Sequence, residues 1–161
     1  MKKRAQGDDA GASGDSNDEL EVVLNHLQAR VEAEQKPSRF DARWLLMELG
    51  EVLQKEGSVA TQARVARARK IVHRLGEAWD RAVRDELQIA ATEHIQGVDP
   101  RFLSHPRYDL TYTLTARARL ESRLLAAAAL GTPLEESLAQ AVERADRRLA
   151  EHQARGPKGQ K

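Results

Sequence analysis

The segment Gly131-Thr132-Pro133-Leu134-Glu135 constrains this chain more than any other. Glycine adopts the left-handed backbone that closes a helix, and threonine after it caps a new one. Proline is tolerated at a first helical position, and the Thr-x-x-Glu spacing makes a capping box. Together they specify two helices joined by a tight turn. Leu134, Leu138, Ala141, Val142, Ala145 and Leu149 recur at helical spacing beyond it. That stripe must be buried, and the short turn directs it back against the helix before.

Upstream, the same signals recur. Leu20, Val23, Leu24, Leu27 and Val31 form one helical stripe, opened by cap-forming residues at Ser16 to Asp18 and stopped before Pro37. Ser38-Arg39-Phe40-Asp41 has capping-box form with Asp in the acidic position. Leu45, Leu46, Leu49, Val52 and Leu53, with Trp44 beside them, carry a second helix to a stop at Gly57-Ser58. From Val59 to Gln96, Val65, Ala68, Val72, Leu75, Trp79, Ala82, Val83 and Ala90 keep one phase at about 100° per residue. The phase persists through Gly76, which predicts one continuous long helix. Asp99-Pro100 caps a short turn inside the two-proline connection at 99–108, where Phe102, Leu103 and Tyr108 are expected to pack down. A fourth helix runs from about Asp109 to Leu130.

The fold expected is therefore all-α: an antiparallel bundle of about five helices, with a long central helix and a C-terminal helical hairpin. One domain spans residues 18–155. Residues 1–17 and 156–161 are Gly-, Ser- and charge-rich without apolar periodicity, and read as disordered tails. The basic start Met1-Lys2-Lys3-Arg4 lacks the apolar stretch of a signal peptide, and no window approaches the roughly 20 apolar residues of a membrane span. With no cysteine, there is neither a disulfide framework nor a thiolate metal site. A cytoplasmic location is the default expectation.

Chemistry-bearing residues fall into two groups. Between Gln62 and Arg74 the chain carries five Lys or Arg and no acid. Arg67, Lys70, Arg74 and Arg81 fall on roughly one face away from the apolar stripe, and Arg64, Arg67, Lys70 and Arg74 could neutralise phosphates of a nucleic acid. A solvated helix face looks the same, and no tight helix-turn-helix precedes it. The second group breaks the apolar stripes. Glu86 and Glu93 fall in phase with Val72, Trp79 and Ala90; Arg117 and Glu121 fall in phase with Leu110, Leu114, Leu125 and Ala128. A buried carboxylate needs a partner, because desolvation costs several kcal/mol. Antiparallel packing is expected to set Glu86 level with Arg117 as a structural pair.

Neither Glu86 nor Glu93 is followed by His at the third position, as a di-metal bundle site requires, and no phosphate-binding glycine loop, Gly-x-Ser-x-Gly elbow or His-Glu-x-x-His motif occurs. No metal or cofactor is expected. Trp44 and Trp79 read as anchors between the second and third helices, with an interface role as the alternative. The function expected is a non-enzymatic protein–protein interaction module: an adaptor, assembly factor or oligomeric scaffold. Its narrow, Ala-rich stripes favour a homodimer. The alternative is a nucleic-acid-binding protein using the basic face of the third helix.

Overall fold

The computed structural model describes the backbone of residues 11–159 and the side chains of residues 19–57 and 59–155. Its elements are α1 (Gly11–Glu32), α2 (Arg39–Ala60), α3 (Gln62–Gly97), the single turn α4 (Pro100–Leu103), α5 (Thr111–Ala129) and α6 (Glu136–Gly159), with no strand among the described residues. The chain is an all-α helical bundle. Helix α1 begins ahead of its expected start and α6 runs past its expected end, so residues 11–17 and 156–159, read as tails, are helical. Extending a formed helix adds one hydrogen bond per residue fixed, which is far cheaper than nucleating it. The remainder of the two expected tails, residues 1–10 and 160–161, lies outside the described residues.

The α1–α2 corner is built as expected. The Asp41 N–H donates to Ser38 Oγ at 3.2 Å, and the Ser38 N–H donates to Asp41 Oδ2 at 2.9 Å. Asp41 also receives His26 Nε2 at 2.9 Å and pairs with Arg30 Nε at 2.6 Å, so one carboxylate caps α2 and ties it to α1. The core that follows is leucine-rich: Leu20, Leu24 and Leu27 of α1 meet Leu45, Leu46 and Leu49 of α2. Each such side chain contributes about 1.5–3 kcal/mol when fully buried. Trp79 is 1 % exposed and anchors this core, whereas Trp44 is half-buried with its ring 5.4 Å from that of His26.

Helix α3 is the spine of the bundle. Its first half packs on α1 and α2, and its second half on α5 and α6. It is not continuous. Gly76 has φ 65° and ψ −142°, a conformation almost confined to glycine, and kinks the helix there. The apolar phase could not reveal this, because both halves present the same stripe. Gly57 makes a second break, with φ 82°, where the sequence sets a stop and restart.

At the α5–α6 turn, Gly131 has φ 83°; the Thr132 N–H donates to the Ala127 carbonyl at 2.9 Å and the Gly131 N–H to the Ala128 carbonyl at 3.1 Å. This is the paired closure a glycine stop produces. The new helix starts later than the Thr132–Glu135 box implies: α6 opens at Glu136, and the Ala139 N–H takes the Glu135 carbonyl at 2.8 Å. The longer turn lets α6 swing across, so that its backbone approaches α3 more extensively than α5. Val142 reaches Ala90, Ala91 and Leu120, and Ala145 and Leu149 reach Val98 and Leu103. Within the connection, Asp99 caps α4, Leu103 is buried and Tyr108 is half-buried, while Phe102 stays exposed and stacks on Tyr108.

Candidate functional site

Helix α5 does not bury the side that Leu110, Leu114, Leu125 and Ala128 imply. The buried side is Thr113, Ala116, Leu120, Arg123, Ala126 and Ala127. The expected inner stripe is largely outside: Leu114 is 42 % exposed and Leu125 41 %, with Ala118, Glu121 and Ala128 exposed between and after them. The helix is turned by one position, about 100°. Backbone proximity is the cause. Gly50 of α2 lies against Ser122, and a Cβ on Gly97 of α3 would stand 3.6 Å from the Thr113 Cα. Small residues pack at these two close approaches, with Leu120 and Arg123 as the larger side chains of the buried side, while Leu114 and Leu125 are turned out.

That rotation also decides the ion pairs. Glu86, 4 % exposed, pairs with Arg123 Nε at 3.5 Å and with Arg39 Nη1 at 3.9 Å. Arg117 does not reach it. Arg117 Nε instead donates to Asp146 of α6 at 2.8 Å, and its Nη1 lies 3.6 Å from Glu121. The Glu86–Arg117 pairing is therefore corrected to Glu86–Arg123, six residues or about 9 Å further along α5. The folded connection between α3 and α5 sets the register, since residues roughly equidistant from its middle come level. Glu93, pairing with Arg119 at 2.9 Å, follows the same register. Burial pushes the Glu86 carboxyl up from the usual carboxylate range, against the pull of Arg123, Arg43 and Arg39. Burial likewise draws the Arg123 guanidinium down, against the pull of Glu86. Desolvation outweighs attraction on both sides, as is common for buried pairs.

A second polar knot lies between α3, α5 and α6. His94 is fully buried and its Nε2 meets Asp146 Oδ1 at 2.7 Å, so Asp146 binds both His94 and Arg117. Nearby, Thr113 donates to the Gly97 carbonyl at 2.6 Å and meets the Tyr108 hydroxyl. Among the described residues, no group of three or more His, Asp or Glu side chains is placed to hold a metal ion.

The basic stretch divides. Arg64 pairs with Glu56 of α2 at 2.6 Å. Arg67 pairs with Glu21 of α1 at 2.6 Å and donates to Asn25 at 2.7 Å. These two arginines close α3 onto its neighbours. Lys70 and Arg74 are exposed, as are Arg69 and His73. The four candidate cations thus form no single unengaged face. Among the described residues, no helix is long and apolar enough to cross a membrane.

The outer side of α5 is the site that sequence reasoning assigned to the wrong side of the wall. Tyr112, though 52 % exposed, lies on the other side of the helix, with its ring against Gly97 of α3. The signal available was the glycine at position 50, which marks a close approach and hence a neighbour with small residues. Comparison with known proteins finds no matching family model, curated protein or solved structure.

Proposed function

We propose that the chain is a non-enzymatic helical interaction module that self-associates through the outer face of α5. The observation that carries this reading is the uncovered stripe Leu114, Ala118, Leu125 and Ala128, on a helix whose other side is already buried. Leu114, Ala118, Glu121 and Leu125 are spaced by four, three and four residues, a pattern that reads alike in both directions. An antiparallel two-fold pair of α5 helices sets Leu114 of one copy against Leu125 of the other, as an isologous interface requires. It also brings Arg117 of each copy towards Glu121 of the other, exchanging a contact now made within one helix. Alanines beside the leucines permit close approach.

The test is molar mass by light scattering across a concentration series. The wild type should give a dimer, and Leu114→Glu with Leu125→Glu a monomer of unchanged helicity. A wild-type protein that stays monomeric throughout overturns the proposal. The nucleic-acid alternative has lost Arg64 and Arg67 to intramolecular pairs. It returns only if a duplex probe binds with steep salt dependence and the binding is lost on changing Lys70 and Arg74 to Glu.

A further inference from the structure

The corner between α2 and α3 turns on one residue. Helical backbone runs from Arg39 to Ala60 except at Gly57, whose φ of 82° and ψ of 163° break it, and Thr61 adds a softer bend at φ −107° and ψ 8°. Helix α3 resumes at once from Gln62. The two helices then run antiparallel: Arg64 meets Glu56 at the corner, and Arg39 meets Glu86 at the far end. The Thr61 hydroxyl donates to the Gly57 carbonyl at 3.0 Å across the break, but a Cβ on Gly57 would meet nothing within 4 Å, so the break is not packed on that side.

Val59 sits inside this corner 80 % exposed, more than any other large apolar side chain among the described residues. It follows Leu45 and Val52 at seven-residue steps, each within about 20° of the last around a helix. Leu45 and Val52 are buried, so Val59 would continue their line if the helix ran on. In the closed corner the line stops at Gly57 and Val59 is left in solvent.

We propose that Gly57 is a hinge through which two copies of the chain exchange their α1–α2 arms. Rotation of Gly57 and Thr61 into helical torsions joins α2 to the first half of α3, one helix about 55 Å long that ends at the Gly76 break. The arm of one copy then packs on α3 and α5 of the other, and the core contacts away from the corner are made again between chains. Because α2 and α3 are antiparallel, two such helices lie side by side with their hinges at the two-fold axis. There Val59 of one copy meets Val59 of the other, which gives the stranded side chain a partner. The exchange stands independently of the α5 face, which it leaves uncovered.

The chain has no cysteine, so a thiol pair reports the exchange directly. Glu21→Cys and Arg67→Cys put one thiol on the arm and one on the body, at partly exposed side chains now 2.6 Å apart. A short bifunctional maleimide joins them within one chain in the closed form and between chains after exchange, and a denaturing gel separates the two masses. A side-by-side dimer through α5 gives only the intrachain product. This parent, unfolded in urea and refolded at high concentration, should give interchain product. Ser58→Pro, treated alike, should give none, because proline is tolerated where a helix restarts after an extended ψ but not inside a continuous helix. Gly57→Ala disfavours the positive φ and adds helix propensity, favouring each open hinge at least about tenfold and a dimer with two of them about a hundredfold. Intrachain product alone from the refolded parent, or interchain product that Ser58→Pro leaves unchanged, would overturn the hinge. So would a folded Gly57→Ala chain that exchanges no more than its parent.

Discussion

Replacing Arg123 by Met tests how the bundle tolerates a carboxylate in its interior. The substitution keeps most of the side-chain volume and removes the guanidinium that lies 3.5 Å from Glu86. Breaking a buried pair by deleting one partner costs about 3–5 kcal/mol. Arg39 remains 3.9 Å from the same carboxylate, which places the expected loss at the low end, about 3 kcal/mol. With a urea dependence of about 2 kcal/mol/M, the unfolding midpoint should fall by about 1.5 M near neutral pH. The pH dependence has a fixed sign. Burial already holds the Glu86 carboxyl above its ordinary range, and Arg123 is the largest pull in the other direction. Without Arg123 the folded-state value rises further above the unfolded one. The folded state then binds the proton more tightly, so stability is retained in acid and lost as pH rises through the folded-state value. The deficit of Arg123→Met should therefore shrink in mildly acidic urea titrations. Adding Glu86→Gln should recover at least about 1 kcal/mol at neutral pH. Arg117→Met serves as the contrast: its partly exposed pair with Asp146 should cost no more than about 1 kcal/mol and show no coupling to Glu86. A pH-independent loss with no recovery by Glu86→Gln would refute the reasoning.

Two glycines give further tests by thermal or urea unfolding. Gly50→Ala would ordinarily stabilise a helix by about 0.5–1 kcal/mol. Here the added methyl overlaps the Ser122 hydroxyl and carbonyl, with the carbonyl carbon 3.0 Å away, so a net loss of about 1–3 kcal/mol is expected. Gly131→Ala meets open space but keeps φ at 83°, and should lose about 1–2 kcal/mol through backbone strain alone.

What the sequence made legible was local. The Ser38–Asp41 box, the Asp99 cap and the glycine stop at 131 depend on residues within a few positions of one another, and each is formed. The stripes of α1 and α2 read correctly because large aliphatic residues mark their buried sides. Helix α5 defeated the same rule, since the space open to it was set by Gly50 and Gly97 on other helices. Once its rotation was misjudged, the partner of Glu86 followed it. The Gly76 break was hidden for a different reason: a kink that preserves the stripe leaves no trace in periodicity. Trp44 looked like a core residue by size, yet its place beside His26 depends on how α1 crosses α2.

The inverted packing of α5 has a consequence for how this chain can vary. In most helices, selection holds the large aliphatic positions and lets small ones drift. Along α5 the folded monomer imposes the reverse. Ala116, Ala126 and Ala127 are buried, whereas Leu114 and Leu125 are over 40 % exposed and belong to none of the core clusters. Apolar character retained at those two outward positions would then record a pressure from outside the monomer. Leu114 and Leu125 would carry the history of association, and Ala116, Ala126 and Ala127 the history of the fold.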